Sequence, residues 1–353
     1  MSPLGSAPGP AGDALQARWL EHAPAGWDAL LAADPAASPS HRSAVGEAFA
    51  ATLPGHALRF LALEVHDALV GGMPLIELRR GPLRWLHALP LLLPAPPLAL
   101  PGWRERVDRA AMLAIGARAR ETQVLGGAWS WYRPEAGAEY PEALACGLGE
   151  TRTVEASIVE LAGGLDAALA RVGRKERAGL RRPRAELHFA EDATALEPAY
   201  ALHVAQSRRW GGHKPLPLEL LRRLLQAGGD PPVARLFTLA DPRGLVSAAL
   251  ALDGPHETFV WWSGTHPDGR ASGAFALLMW RIVEWASAQG RVRVNLGASS
   301  SLPGVASFKR SLGVEPLRYP VLWLGARMPG LAGRALAALQ ARAWRGRARG
   351  DIA

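Results

Sequence analysis

Lysine is nearly absent from this chain. Lys175, Lys214 and Lys309 are its only ammonium side chains among 40 cationic residues, so a lysine that persists at one position carries information that an arginine does not. Cysteine is scarcer still: Cys146 stands alone, which excludes an internal disulfide and gives no sign of an oxidising compartment. The ten histidines are scattered, and neither HExxH nor a Cys-x-x-Cys pair occurs, so no metal site is expected. GxxxxGKS/T is missing, as is GxGxxG after a strand, which removes the usual NTPase and dinucleotide signatures. Gly297-Ala-Ser299-Ser-Ser301 falls short of a nucleophile elbow because the closing glycine is missing. The apolar stretch that starts at Leu86 is interrupted by prolines at 90, 94, 96, 97 and 101, which argues against a spanning helix. The opening MSPLGSAPGPAGD has neither a basic start nor an apolar core, so no signal peptide is read and a cytoplasmic location is expected.

What is present is enough for a large core. The chain has 353 residues, 49% of them hydrophobic, and two domains of ordinary size are expected. Ala, Gly, Pro, Leu and Arg dominate together, a pattern of codon bias more than of disorder. The net charge of +8 suits an anionic ligand such as a CoA or nucleotide phosphate, a nucleic acid, or an acidic membrane surface, without choosing among them.

Residues 1–40 are rich in Ala, Pro and Gly and read as a loosely ordered arm, with a short helix near Leu15 to His22. A helical pattern from His41 to about Leu53 stops at Pro54-Gly55. Arg59 to Val65, a turn at His66-Asp67, and Leu69 to Leu78 read as an antiparallel hairpin. A proline-rich segment, a helix from Arg104 to Arg120 and a strand from Thr122 to Ala128 complete a first domain over 41–150. The second half repeats this order over 151–326: a hairpin of Arg235 to Ala240 and Leu245 to Leu252, a strand from His256 to Gly264, a helix from Gly273 to Gln289, then "RVRVNLGAS". The second hairpin strands start 176 residues apart, at Leu69 and Leu245, and the later strands 171 apart, at Val124 and Asn295. A duplicated α/β (α+β) domain is therefore expected, each copy a mixed, mainly antiparallel sheet flanked by helices. Between the halves, a cationic helix carries Arg174, Arg177 and Arg181 on one face, followed by a short strand at Glu186 to Ala190 and helices near Leu196 to Trp210 and Pro217 to Ala227. Residues 327–353 read as a basic C-terminal helix and tail, suited to a membrane surface or to docking on the fold.

The chemistry-bearing stretch lies in the second copy. Strand "ETFVWWSG" leads through "HPDGRASGAF" into a long amphipathic helix, so backbone N–H groups at that helix start could meet a phosphate; the competing reading is an ordinary helix start with Ser272 as N-cap. Arg270-Ala-Ser272-Gly273-Ala-Phe275 nearly matches R/Q-x-x-G-x-G/A, departing at Phe275. With "RVGRKERAGLRRPRAELHF", "YALHVAQSRRWGGHKPLP" and the closing "VNLGASSSLPGVASFKRSLGVEP", this order of elements resembles the FemAB-like, or BioF2-like, branch of the GNAT acyltransferase superfamily. The stretch from Glu155 to Leu324 carries the resemblance, and Phe308-Lys309 with Gly313 is its most recognisable phrase.

The resemblance implies two tandem GNAT folds and N-acyl transfer from acetyl-CoA or another acyl-CoA to an amine of a small molecule, sugar or peptide, in envelope or polysaccharide metabolism. It implies a donor-phosphate loop at Arg270, Ser272 and Gly273, and Lys309 beside the reacting carbonyl as a compact, mobile charge for the oxyanion. Lys175, Arg177, Trp261, Phe308 and Tyr319 are the expected acceptor or acidic-ligand contacts. Only one of Trp261 and Trp262 can face inward from a strand, and core packing is the expected job of that one. Two alternatives stand beside this reading. One is a Fem-like aminoacyltransferase that uses aminoacyl-tRNA and a peptidoglycan precursor, weakened by the lack of a long coiled-coil insertion. The other is a degenerate GNAT pair that only binds a ligand.

Overall fold

A computed structural model describes residues 14–133, 152–182, 186–208, 215–271, 273–298 and 303–324. The chain divides into two units: Met1–Thr153 with Tyr319–Leu339, and Val154–Arg318 with Gln340–Ala353.

The first unit runs β1 (Gln16–Leu20), α1 (Trp27–Ala33), α2 (Ser43–Thr52), β2 (His56–Val65), β3 (Ala68–Arg80), β4 (Leu83–His87), β5 (Leu98–Ala99), α3 (Arg104–Glu121) and β6 (Gly127–Ser130). Its sheet has the order β1-β2-β3-β4, with β5 also on β3, and every one of these pairs is antiparallel. His66 and Asp67 both take positive φ between β2 and β3, the geometry of a two-residue hairpin turn that matches strand twist. Gly71 and Gly72 point to opposite faces of β3. A Cβ at Gly71 would stand 2.5 Å from Val107 of α3, and one at Gly72 would stand 2.4 Å from the Leu61 carbonyl and 3.2 Å from Trp27 of α1. Their missing side chains thus let a helix close down on each side of the strand. Val107, Ala111, Ile115 and Ala119 form the buried stripe of α3.

Three local expectations change here. Residues 16–20 are a strand on β2 instead of a helix, held by the Arg18–Glu64 ion pair at 2.9 Å; three apolar side chains in so short a run cannot support a helical stripe. Residues 27–33 are no loose arm, because Trp27, Leu30 and Leu31 are buried. The strand placed over 122–128 starts at Gly127, since α3 continues to Glu121.

The proline-rich segment poses a physical problem, because prolines leave carbonyls in the interior and supply no N–H. A buried polar cluster answers it. His41 Nε2 lies 2.7 Å from the Pro96 carbonyl, Arg104 and Arg133 both donate to the Pro97 carbonyl, and Ser38 reaches Pro94. Asp34 accepts from Ala99 and from Arg104, while Arg133 donates to Asp108 at 2.7 Å. Burial lowers the His41 pKa to about 4, so the folded chain holds it neutral where the unfolded chain protonates. The unfolded state then binds more protons between pH 6.5 and about 4, and stability falls as pH falls through that window. Urea unfolding at pH 7 and pH 5 should differ by on the order of 2 kcal/mol from this residue. His41→Gln should lose that difference; an unchanged slope in the variant would show that another group carries it.

The second unit runs β7 (Arg152–Glu160), α4 (Leu165–Arg171), α5 (Arg174–Arg181), β8 (His188–Glu191), α6 (Leu196–Ser207), α7 (Leu218–Gln226), β9 (Ala234–Asp241), β10 (Gly244–Asp253), β11 (Glu257–Thr265), α8 (Pro267–Ala271), α9 (Ala274–Ala288), β12 (Arg293–Ala298), α10 (Pro303–Ser311) and β13 (Glu315–Leu324). Within it the strand order is β7-β12-β11-β10-β9-β8. The chain leaves along β13, whose Val321 to Leu324 pair antiparallel with β6 in the first unit's own residues. Phe237, Leu239, Ala249, Ala251, Val260, Val294 and Leu296 form one core with α9, whose Ala274, Leu278, Ile282 and Ala286 recur at helical spacing. On the other face α6 packs against β10 and β11, and α7 against β9. The cationic helix expected around Arg174 is broken in two at Val172–Gly173, where Val172 is buried in the core and Gly173 donates to the Ser311 carbonyl. The two sheets, each flanked by helices, give the expected mixed α/β class.

Candidate active site

β11 and β12 form the one parallel pair among the described strand ladders, and a parallel pair needs a crossover, which α9 provides. Their pairing covers Glu257↔Arg293 to Phe259↔Asn295 and then ends, although β11 continues to Thr265 and β12 to Ala298. On its other edge β12 pairs with β7, and between Asn295 and Ala298 it holds one residue more than its partner. This bulge centres on Gly297, at φ +72, a left-handed conformation that glycine adopts without steric cost. Asn295 Oδ1 accepts the Gly297 N–H at 2.8 Å, which ties the bulge to the strand before it.

Lys309, on α10, fills that turn. Its Nζ donates to the Gly297 carbonyl at 3.0 Å and to the Ala298 carbonyl at 2.8 Å. The residue is only 8% exposed, and burial lowers its pKa to about 7. The solvated surface cation that competes with a functional reading is therefore excluded, and so is the freely mobile ammonium expected from sequence. Behind the carbonyls, Asn295 Nδ2 donates to Glu257 Oε1 at 3.2 Å, and Arg293 Nε donates to Glu257 Oε2 at 2.7 Å. All three side chains are buried, Glu257 completely. The chain Arg293–Glu257–Asn295–Gly297–Lys309 links a buried ion pair to the position of one ammonium.

Phe308 stacks on Phe275 with ring centroids 5.0 Å apart. This contact accounts for the residue that breaks the loop pattern: where glycine or alanine is expected, a ring ties the first turn of α9 to α10. Gly273 is the N-cap of α9, in left-handed geometry, and the first-turn N–H groups beyond it lack partners within the helix. Ser272 lies outside the described residues, and so does the Arg270 side chain.

Residues 167–310 match the family model described as an acetyltransferase (GNAT) domain. The solved structure of FemX is similar over 86% of this chain and 96% of that one, with a TM-score of 0.69 at 11% identity. Residues 167–310 thus match a GNAT acetyltransferase domain, and the fold of the chain is similar to that of FemX. A tandem GNAT protein from the clavulanic acid biosynthesis pathway is similar over 89% of this chain and all of that one, with a TM-score of 0.52 at 16% identity. The L-PGS structure from Bacillus licheniformis matches 92% of this chain and 98% of that one, with a TM-score of 0.53 at 15% identity. A sequence search among curated proteins returns no match.

The structure also positions the other residues singled out from the sequence. Lys175 is exposed on α5. Arg177 turns back to donate to the Ala170 and Val172 carbonyls at 2.9 and 2.8 Å, closing the end of α4, because the last carbonyls of a helix need external donors. Trp262 is the inward tryptophan, stacked on His203 at 4.8 Å, and Trp261 is half-buried. Tyr319 falls in the first unit, is buried, and packs edge-on to Tyr132 at 5.3 Å. Asp253 is fully buried and accepts from Arg291 and Thr258. No group of three or more metal-ligating side chains occurs among the described residues, and no described helix is long and apolar enough to cross a membrane. The basic segment 327–353 lies outside the described residues.

Sequence reasoning missed Asn295, Glu257 and Arg293 as members of the site. A signal existed: Arg293 and Asn295 alternate on one side of a strand whose position between two neighbours demands burial, and buried polar side chains require partners.

Proposed function

We propose that the GNAT domain transfers an acyl group from an acyl-CoA thioester, acetyl-CoA foremost, to an amine of a small molecule, sugar or peptide. The observation that carries this reading is Lys309, held by two carbonyls where the parallel strands β11 and β12 part. The neutral acceptor nitrogen attacks the thioester carbonyl carbon; the C–N bond forms, the C–S bond breaks, and CoA leaves as a thiolate. The proton released by the amine balances the thiolate. When Lys309 is protonated, its two hydrogen bonds leave one N–H uncommitted among the described residues, and that donor serves the oxyanion of the tetrahedral intermediate. Gly273 and the first turn of α9, with Arg270 and Ser272, hold the donor's phosphates, where backbone N–H groups and the helix dipole favour anions. Phe308, stacked on Phe275, closes the hydrophobic side, and the half-buried Trp261 contacts the acceptor.

A second reading, transfer of an aminoacyl group from tRNA to a peptidoglycan precursor, is favoured by one observation: the FemX match has a higher TM-score than the tandem GNAT match. The chemistry at Lys309 is the same, with an ester replacing the thioester. The full-length protein is to be supplied with acetyl-CoA, longer acyl-CoAs and aminoacyl-tRNA against a panel of amines, following free thiol and amide product. Amine-dependent thiol release from a CoA thioester is expected. Turnover of aminoacyl-tRNA with every CoA thioester left intact would move the assignment to the second reading.

A further inference from the structure

Between α5, β8, β9 and α9 the GNAT domain holds a cavity of about 300 Å³ that shares no residue with the Lys309 site. Leu239 and Leu277, 1% and 8% exposed, form its floor. Phe189 forms one wall, its ring stacked on Phe237 at 5.7 Å, and the remaining apolar lining is leucine. The polar lining is all of one sign: Arg181, Arg182 and Arg281, with no carboxylate among the lining residues. Leu277 and Arg281 stand one turn apart on α9, so apolar floor and cationic rim belong to one helix face. Arg281 donates to Glu284 at 2.7 Å, while Arg181 and Arg182 make no side-chain hydrogen bond or ion pair among the described residues.

Three guanidinium groups around one hollow repel one another, and a single carboxylate on the next turn of α9 offsets only part of that charge. Arginine stems often cover exposed leucines, but here the leucines and Phe189 still enclose open volume. An apolar floor calls for a hydrocarbon, and a rim of forked donors calls for a phosphate or carboxylate. We infer that this cavity binds an amphiphile with a short apolar body and an anionic head. Its volume is at the small end for ligand pockets, which favours a single short chain over a bulky ring system. The inference does not depend on the acyl-transfer reading, because none of the cavity residues takes part in it.

Octyl phosphate is the probe, titrated calorimetrically into the full-length protein. Saturable binding at one site is expected, weakened about tenfold or more in Arg181→Gln/Arg281→Gln, since each charge-assisted contact is worth that much when lost. Both arginines are exposed, so these variants leave the core intact. Phe189→Ser should weaken the same binding through the apolar wall. Inorganic phosphate or octyl glucoside binding as tightly as octyl phosphate would overturn the proposal, as would an unaffected double variant. Co-sedimentation with phosphatidylglycerol vesicles in preference to phosphatidylcholine, lost in the double variant, would identify the ligand as a bilayer lipid. Octyl phosphate binding without such co-sedimentation would identify a monomeric amphiphile, and either result supports the site.

Discussion

Lys309→Met should lower kcat about 100- to 1000-fold, the range observed when one oxyanion donor is removed, with a much smaller effect on KM. The pH dependence separates this role from simple packing. Wild-type activity needs a neutral acceptor amine, which raises the rate with pH, and a protonated Lys309, which is lost above about 7. A basic limb near pH 7 should therefore appear in kcat, and it should vanish in Lys309→Arg, whose guanidinium stays charged but cannot reproduce the two carbonyl contacts at full rate. Stability supplies an independent readout. Folded Lys309 titrates at about 7 against an ordinary 10.5, so between those values the unfolded chain binds more protons and stability rises with pH. The methionine variant should lack that rise. Because the chain has only three lysines, carbon-labelled lysine NMR resolves the titration directly. Full turnover in Lys309→Met, or a Lys309 that titrates near 10, would remove the residue from the mechanism.

The order of elements was legible because its signals are local. Pro54-Gly55, the turn at His66-Asp67 and the helical spacing of apolar residues in α3 and α9 each mark an element by side-chain type alone. β1 was misread because a strand of five residues at the sheet edge has too few apolar side chains to show its period. Lys309 was legible through rarity, since a chain that writes its surface cations as arginine gives a lysine contrast. Its environment was not, because its partners are backbone carbonyls, and their direction depends on a bulge that only the register of β12 against β7 reveals. Arg177 shows the reverse error. A cation on an exposed helix looks free for a ligand, yet the break at Gly173 places two unsatisfied carbonyls within its reach. Tyr319 lies near the end of the motif phrase, but β13 has by then passed into the other unit.

Glu257→Ala should be the most destabilising single change at the site, by roughly 3–5 kcal/mol, because it leaves Arg293 buried without the carboxylate it donates to. Urea unfolding measures that loss, and a change below about 1 kcal/mol would mean that the pair is relaxed by water or by other acceptors. A stability loss alone would describe any buried ion pair, so the functional link needs a gentler variant. Asn295→Ala removes the acceptor of the half-buried Gly297 N–H and should cost about 1 kcal/mol, the ordinary worth of one such hydrogen bond. It leaves Lys309, Glu257 and Arg293 in place. If Asn295 sets the direction of the Gly297 and Ala298 carbonyls, the Lys309 titration should move away from about 7 and the basic limb of kcat should move with it. If the bulge is held by Gly297 and the ladder alone, Asn295→Ala will lose stability while both midpoints stay where they are. The buried Arg293–Glu257 pair would then serve the sheet, and the ammonium would owe its low pKa to desolvation without help from the strand behind it.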